Sequence, residues 1–265
     1  MDILLYLLMF VLGVFGSFFS GMLGIGGAII NFPLILYIPP LLNVGGFTGK
    51  EVAAISMFQV FFASLAGVLA FRKQSRVSGP ALIHKGLVLN MGISIMIGSL
   101  IGGTGSMFLT GYTINFIYGI LAIVAVVLML IPSKGKREIV ELEQVTYNKL
   151  IAISSSFIVG IVSGIVGAGG AFILIPIMLT ILKIPARVAI ASSLAIVFIS
   201  AVGGVIGKLV AGGIPFLPTL FIVMGSLLGA PLGARVSKQI NVRYLRYTLI
   251  GFISITAIKI WSTII

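Results

Sequence analysis

The apolar residues of this chain fall into about ten long runs, separated by short polar or glycine-rich breaks. The runs lie near residues 3–22, 26–42, 50–71, 84–104, 112–131, 148–166, 169–184, 187–209, 215–235 and 243–263. A helix that crosses a bilayer needs about 20 mostly apolar residues, and most of these runs reach or approach that length. The pattern predicts an all-α integral membrane protein with about ten hydrophobic segments.

One extended polar stretch, from Pro132 to Lys149, interrupts this pattern and separates the fifth run from the sixth. It holds a mixture of basic and acidic residues that no lipid-facing helix tolerates. We therefore divide the chain into a first membrane repeat at 1–131, a linker at 132–148 and a second membrane repeat at 149–265.

The two halves resemble each other in sequence, which indicates an internal duplication. The nine residues from Ser20 match those from Ser163 at six positions, and Pro33 pairs with Pro176 at the same offset. The stretch 52–67 then pairs with 188–203, and 98–102 pairs with 225–229. Five segments per half is an odd number, so the second half enters the membrane in the opposite sense. The prediction is a pair of inverted-topology repeats, as in secondary transporters.

Charge predicts the orientation. Placing the linker on one side assigns 14 of the 17 Lys and Arg residues to that side and leaves Lys50, Lys208 and Lys259 on the other. Positive charge accumulates in cytoplasmic loops, so the linker and basic loops of this multi-pass protein are expected in the cytoplasm. Both termini would then lie outside. If segments 1–2 and 6–7 were re-entrant hairpins, the termini would change sides.

Composition excludes several classes of protein. Charged residues make up 8% of the chain, against about 25% in soluble domains. The net charge of +12 comes from loop residues, so topology explains it and nucleic acid is not an expected partner. The chain has no cysteine, which removes thiol nucleophiles and thiolate metal sites.

Two glycine-rich breaks are the strongest local signals. They comprise Gly24, Gly26 and Gly27 in the first half, and Gly167, Gly169 and Gly170 in the second. Glycine and the proline that follows each break disfavour a continuous helix. Helices restarting after the breaks would direct free N–H groups toward a cavity and bind an anion without a charged side chain. Alternatively, these glycines only allow close helix packing.

Polar side chains near these breaks are further substrate-binding candidates. They are Asn31, Ser56, Gln59, Arg187, Ser192 and Ser193. Hydroxyl and amide groups at these positions would orient an oxyanion through hydrogen bonds. The alternatives are structural hydrogen bonds between helices for the uncharged residues, and a membrane-edge position for Arg187.

The interior of the predicted spans is expected to hold no Asp, Glu, Lys or Arg, so a carboxylate-based proton or sodium site has little support. The one histidine, His84, lies at a membrane edge, away from any candidate nucleophile. No enzymatic activity, cofactor or bound metal is predicted. The nature of any coupling ion, proton or sodium, and the oligomeric state stay open.

These motifs resemble the TauE/SafE sulfite exporter family of membrane transporters, also called TSUP. The resemblance rests on the stretch from Ser20 to Pro33, its copy from Ser163 to Pro176, and the paired stretches that begin at Val52 and Val188. It implies a transporter for sulfite, thiosulfate, sulfoacetate or another small organic anion in the plasma membrane of a prokaryotic cell.

Taken together, the sequence favours a secondary transporter in which a small sulfur-containing anion binds between the halves, with one repeat rocking against the other. The expected partners are the anion and the lipid bilayer. Two alternatives stay open: an anion channel, and a membrane protein that serves assembly or signalling without transport.

Overall fold

The structure is a computed structural model, and it describes residues 2–23, 28–78, 83–130, 147–236, 250–251, 254 and 258–262. The described residues form nine α-helices, one 3-10 turn and part of a C-terminal helical segment. The helices are α1 (Asp2–Leu23), α2 (Ala28–Leu41), α3 (Gly49–Ser78), α4 (Lys85–Gly105), α5 (Gly111–Leu130), α6 (Lys149–Val166), α7 (Ala171–Thr180), α8 (Ala186–Ala211) and α9 (Phe216–Val236). The 3-10 turn, Ser106–Phe108, joins α4 to α5. The predicted all-α fold is confirmed.

Six of the described helices, α1, α3, α4, α6, α8 and α9, are long and apolar enough to cross a membrane. The second and seventh segments are shorter, with 14 residues in α2 and 10 in α7. At about 1.5 Å per residue, α7 covers roughly half of a hydrocarbon core. The protein is therefore a multi-pass membrane protein in which a short helix follows the first long helix of each half.

Contacts between helices establish their directions. Gly13 packs on the Ile222 carbonyl and Gly21 on the Ala230 carbonyl, so α1 and α9 are parallel. Helix α6 is parallel to α4, because Gly98 lies against Phe157 and Gly102 against Ile161. Helix α8 is also parallel to α4, because Gly92 lies against Ile199 and Met96 against Gly203. A connection of only four residues, 212–215, makes α9 antiparallel to α8.

Helix α3 is antiparallel to α8, because Met57 lies against Gly204 and Gly67 against Leu194. Helices α6, α8 and α9 are the repeat counterparts of α1, α3 and α4. Each counterpart therefore runs opposite to its partner, and the predicted inverted-topology repeats are confirmed. We call the end of the bundle where α6 begins the linker end, and the opposite end the far end. The predicted linker itself lies almost entirely outside the described residues.

The tightest packing joins helices from different halves. Helix α1 packs on α9, and α4 packs on α6. Glycines allow this approach: Gly225, Gly229 and Gly233 lie against backbone atoms of α1. Close backbone contact through small residues is the usual way in which membrane helices associate. The small-residue spacing in α4 and α9 thus serves helix packing.

Candidate functional site

The second glycine break interrupts the chain as predicted. Helix α6 ends at Val166, and Gly167 follows in the left-handed conformation with its N–H donating to the Ser163 carbonyl over 2.8 Å. Gly167, Gly169 and Gly170 have φ values of 78°, 64° and 77°. Non-glycine residues rarely adopt such backbone angles, so glycine is required at these turns. Helix α7 then begins at Ala171.

This break lies inside the protein. Gly167 contacts the Ala53 carbonyl on α3, Gly169 lies between Val60 of α3 and Val197 of α8, and all three glycines are buried. Irregular backbone at membrane depth is stable only when protein or water surrounds it. Gly170 caps α7 without a side-chain hydrogen bond, and the first amides of a helix have no carbonyl in their own helix to bind. The break therefore presents peptide N–H groups within the bundle.

The first glycine break cannot be compared in the same way. Gly24, Gly26 and Gly27 lie outside the described residues, between the end of α1 at Leu23 and the start of α2 at Ala28.

A group of buried uncharged polar residues lies on α1, α2 and α3, and we call it the first-repeat polar cluster. Its members are Ser17, Ser20, Asn31 and Gln59, each at most 1% exposed. The Gln59 Nε2 atom donates to Ser17 Oγ over 3.3 Å. The Asn31 carboxamide lies against Gly16, which neighbours Ser17 on α1. Three helices of the first half thus bring their polar groups together.

Most polar atoms of the cluster have no hydrogen-bond partner among the described residues. This is true of Ser20 Oγ, Asn31 Oδ1 and Nδ2, and Gln59 Oε1. It is also true of Ser56 Oγ on α3, which is fully buried. Each unpartnered buried polar group costs about 1–3 kcal/mol, so such groups are rarely retained for packing alone. The cluster has the character of a site for a polar solute.

Helix α3 lies between the cluster and the second break. Ala53 and Val60 face the break, while Gln59 points to Ser17 on α1. At about 100° per residue, Ser56 lies between these two faces. The first-repeat polar cluster and the second break are therefore about one helix width apart, ~10 Å, and Ser56 lies on the part of the α3 surface between them.

Among the described residues, the second half does not repeat this cluster at the positions of Asn31 and Ser20. Leu174 occupies the repeat position of Asn31 and is buried, and Ser163, the counterpart of Ser20, donates to the Gly160 carbonyl over 3.1 Å. The two halves therefore differ at these two repeat positions.

The other predicted residues lie toward the linker end. Ser192 and Ser193 are fully buried on α8. Ser192 Oγ accepts a hydrogen bond from the backbone N–H of His84 over 3.2 Å, and this bond joins α8 to the segment before α4. Arg187 belongs to the first turn of α8, and its side chain lies outside the described part of the structure. The role of these three residues in binding stays a prediction.

The expectation that the spans hold no charged residue is wrong at Lys208. This residue lies within α8, and its side chain is only 1% exposed. Its Nζ atom donates to Ser106 Oγ over 2.8 Å and to the Ile165 carbonyl over 2.7 Å. Near the end of an apolar run, the lysine was indistinguishable from a loop residue. The signal in the sequence was the apolar stretch that continues after it, Leu209-Val210-Ala211.

Sequence reasoning also missed Ser17 and Ser20 as binding candidates. Both lie on α1 three residues apart, hence on nearly the same helix face, and Ser20 opens the motif that recurs at Ser163. That spacing was the available signal.

Inverted repeats, a short helix after the first span of each half, and an interrupted helix enclosed by protein define a membrane protein of the transporter class. The chain belongs to the family described as Sulfite exporter TauE/SafE, whose family model matches residues 9–260. It is a membrane transporter.

Curated relatives support this membership. The chain is 24% identical over 253 residues to the probable membrane transporter protein YunE of Bacillus subtilis, covering 90% of each chain. It is 25% identical over 262 residues to a probable membrane transporter protein of Methanocaldococcus jannaschii, covering 95% of this chain and 92% of the relative. No solved structure matches the chain.

Proposed function

We propose that the protein is a secondary transporter that moves a small sulfur-containing anion across the plasma membrane by alternating access. The candidate substrates are sulfite, thiosulfate, sulfoacetate and other organosulfonates, in keeping with the family's description as sulfite exporters. The observation that carries the proposal is the first-repeat polar cluster, in which most of the buried hydroxyl and amide atoms have no partner among the described residues.

The chemistry of this cluster suits an anion better than a cation. Asn31 Nδ2 and the hydroxyls of Ser20 and Ser56 are hydrogen-bond donors, and the peptide amides that begin α7 add donors on the other side of α3. Neutral donors in a water-poor site hold negative charge without the desolvation cost of a buried cation. The cluster also holds the amide oxygens of Asn31 and Gln59, but it contains no carboxylate that would neutralise a transported cation.

The test is flux in reconstituted liposomes. We expect saturable uptake of at least one of labelled sulfite, thiosulfate and sulfoacetate, at least about tenfold above liposomes without protein, because a binding site limits the rate of a carrier. Uptake that rises linearly with concentration, together with single-channel current, would instead identify a channel. Absence of flux and of binding for all three anions would refute the substrate assignment.

We further propose that the linker end faces the cytoplasm. Lys85, Lys149, Lys183 and Arg235 are exposed at this end. At the far end, Lys208 is buried and Lys50 Nζ donates to the Met107 carbonyl over 2.9 Å, so neither is a free loop charge. The exposed basic residues at the linker end support the same orientation as the sequence count.

Cysteine labelling tests this orientation, because the natural chain contains no cysteine. Phe108→Cys at the far end, where the side chain is 83% exposed, should react with a membrane-impermeant maleimide on intact cells. Lys149→Cys at the linker end should react only after the cells are permeabilised. The reverse pattern would place the linker outside.

A further inference from the structure

Lys208 places a positive charge inside the far end of the bundle. Its ammonium group joins three elements: α8, which carries it, the 3-10 turn at Ser106, and the last turn of α6 at Ile165. Ile165 comes two residues before Gly167, so the charge lies within about 10 Å of the second glycine break. The carbonyl groups that end a helix attract cations, which accounts for the contact with α6.

The protein atoms that receive this charge are neutral. The chain has only five Asp and Glu residues, and three of them lie in the predicted linker. Glu51, the acidic residue nearest in sequence to Lys50, accepts hydrogen bonds from the N–H and hydroxyl of Thr48. A buried ammonium group that has only neutral acceptors is unfavourable, and a carboxylate or another anion would stabilise it.

A second lysine lies close to the first. Lys50 Nζ donates to the Met107 carbonyl, the residue directly after Ser106, over 2.9 Å. The two ammonium groups thus bind adjacent residues of one turn. Two neighbouring positive charges favour a ligand that carries two negative charges.

A fully buried hydroxyl lies at the contact between α4 and α8, about one helical turn further from the far end than Lys208. Ser99 Oγ has no hydrogen-bond partner among the described residues, and it packs against Gly204. Gly204 precedes Lys208 by four residues, which is about one helical turn on α8. Ser99 therefore extends the polar surface inward from Lys208, along the contact between α4 and α8.

We propose that Lys208, Lys50 and Ser99 form a second anion-binding site on the transport path, selective for small dianions, and we call it the lysine site. An ammonium group has three N–H donors, of which two bind Ile165 and Ser106. An incoming dianion would replace these neutral acceptors, because charge-assisted hydrogen bonds are stronger. The proposal rests on the proposed transport of anions, and it adds a preference for doubly charged ones.

The test measures anion binding through thermal stabilisation of the purified full-length protein. Thiosulfate is the dianion, and methanesulfonate is the monoanion of similar chemistry. We expect Lys208→Met to weaken thiosulfate binding by about tenfold or more and methanesulfonate binding by only about threefold. Lys208→Arg, which keeps the charge, should stay within about threefold of the wild type for both anions.

Two further variants make the test independent of a folding defect. Lys149→Met removes an exposed lysine at the linker end and should change neither affinity. Lys50→Met leaves the buried contacts of Lys208 in place and should weaken thiosulfate binding by about threefold. Unchanged thiosulfate binding in Lys208→Met, equal loss of both anions, or absence of stabilisation in the wild type would each overturn the lysine site.

This result is separable from the proposed function. If wild-type liposomes carry none of the sulfur anions, the assigned substrate is wrong. If they carry these anions while the preference for thiosulfate over methanesulfonate survives in Lys208→Met, only the lysine site is wrong.

Discussion

Gly167→Ala is expected to destabilise the protein by about 3 kcal/mol or more and to abolish transport. A non-glycine residue in the left-handed conformation costs roughly 1–2 kcal/mol, and Gly167 has a φ of 78°. The new methyl group would also overlap the Ala53 carbonyl, which forces α3 away from the break and adds about 1–3 kcal/mol. Thermal unfolding in detergent and uptake in liposomes measure the two effects.

The matched control is Gly213→Ala. Gly213 has a φ of 71°, yet a methyl group placed there meets no atom within 4 Å. This variant experiences the backbone strain without the overlap, so it should lose only about 1–2 kcal/mol and keep its transport activity. If both variants behave alike, the contact between the break and α3 has no special importance.

Asn31→Leu and Gln59→Met are expected to reduce uptake at least about tenfold. Asn31→Leu should leave the protein equally stable or more stable, whereas Gln59→Met also loses the hydrogen bond to Ser17. Leucine has nearly the shape of asparagine, and it is the residue found at the repeat position, Leu174. Replacing unpartnered buried polar atoms by apolar ones removes a desolvation cost of about 1–3 kcal/mol. The loss of donors and acceptors for the solute lowers activity.

Ser156→Ala serves as the control for these variants. Ser156 is fully buried on α6, and its hydroxyl is occupied by the Ala152 carbonyl of the same helix at 2.6 Å. Its replacement should change neither uptake nor the melting temperature appreciably. A lower melting temperature with normal uptake in Asn31→Leu would show that the cluster is structural.

The sequence predicted the features of this fold that depend on local pattern. The apolar runs placed the nine described helices to within several residues; the run 169–184, for example, corresponds to α7 at Ala171–Thr180. The odd number of segments in each half was sufficient to predict that the halves are inverted. The interruption at Gly167 followed from the conformational freedom of glycine.

Features that depend on distant contacts were beyond the sequence. Lys208 looked like a loop charge because its acceptors, Ser106 and Ile165, lie 102 and 43 residues away. The bond between Ser192 and His84 spans 108 residues. A serine in an apolar helix usually binds its own backbone, so nothing local marked Ser17 as a partner of Gln59. Tertiary packing decides such cases.

The packing of α1 on α9 and of α4 on α6 determines how the protein divides mechanically. Each of these close pairs takes one helix from either side of the linker, so the two sequence halves are interlocked. Neither half includes the packing partner of its own first helix. The groups of helices that move as rigid units during transport are therefore expected to contain helices of both repeats. A fragment that ends at the linker would expose the glycine surfaces of α1 and α4 that α9 and α6 normally cover.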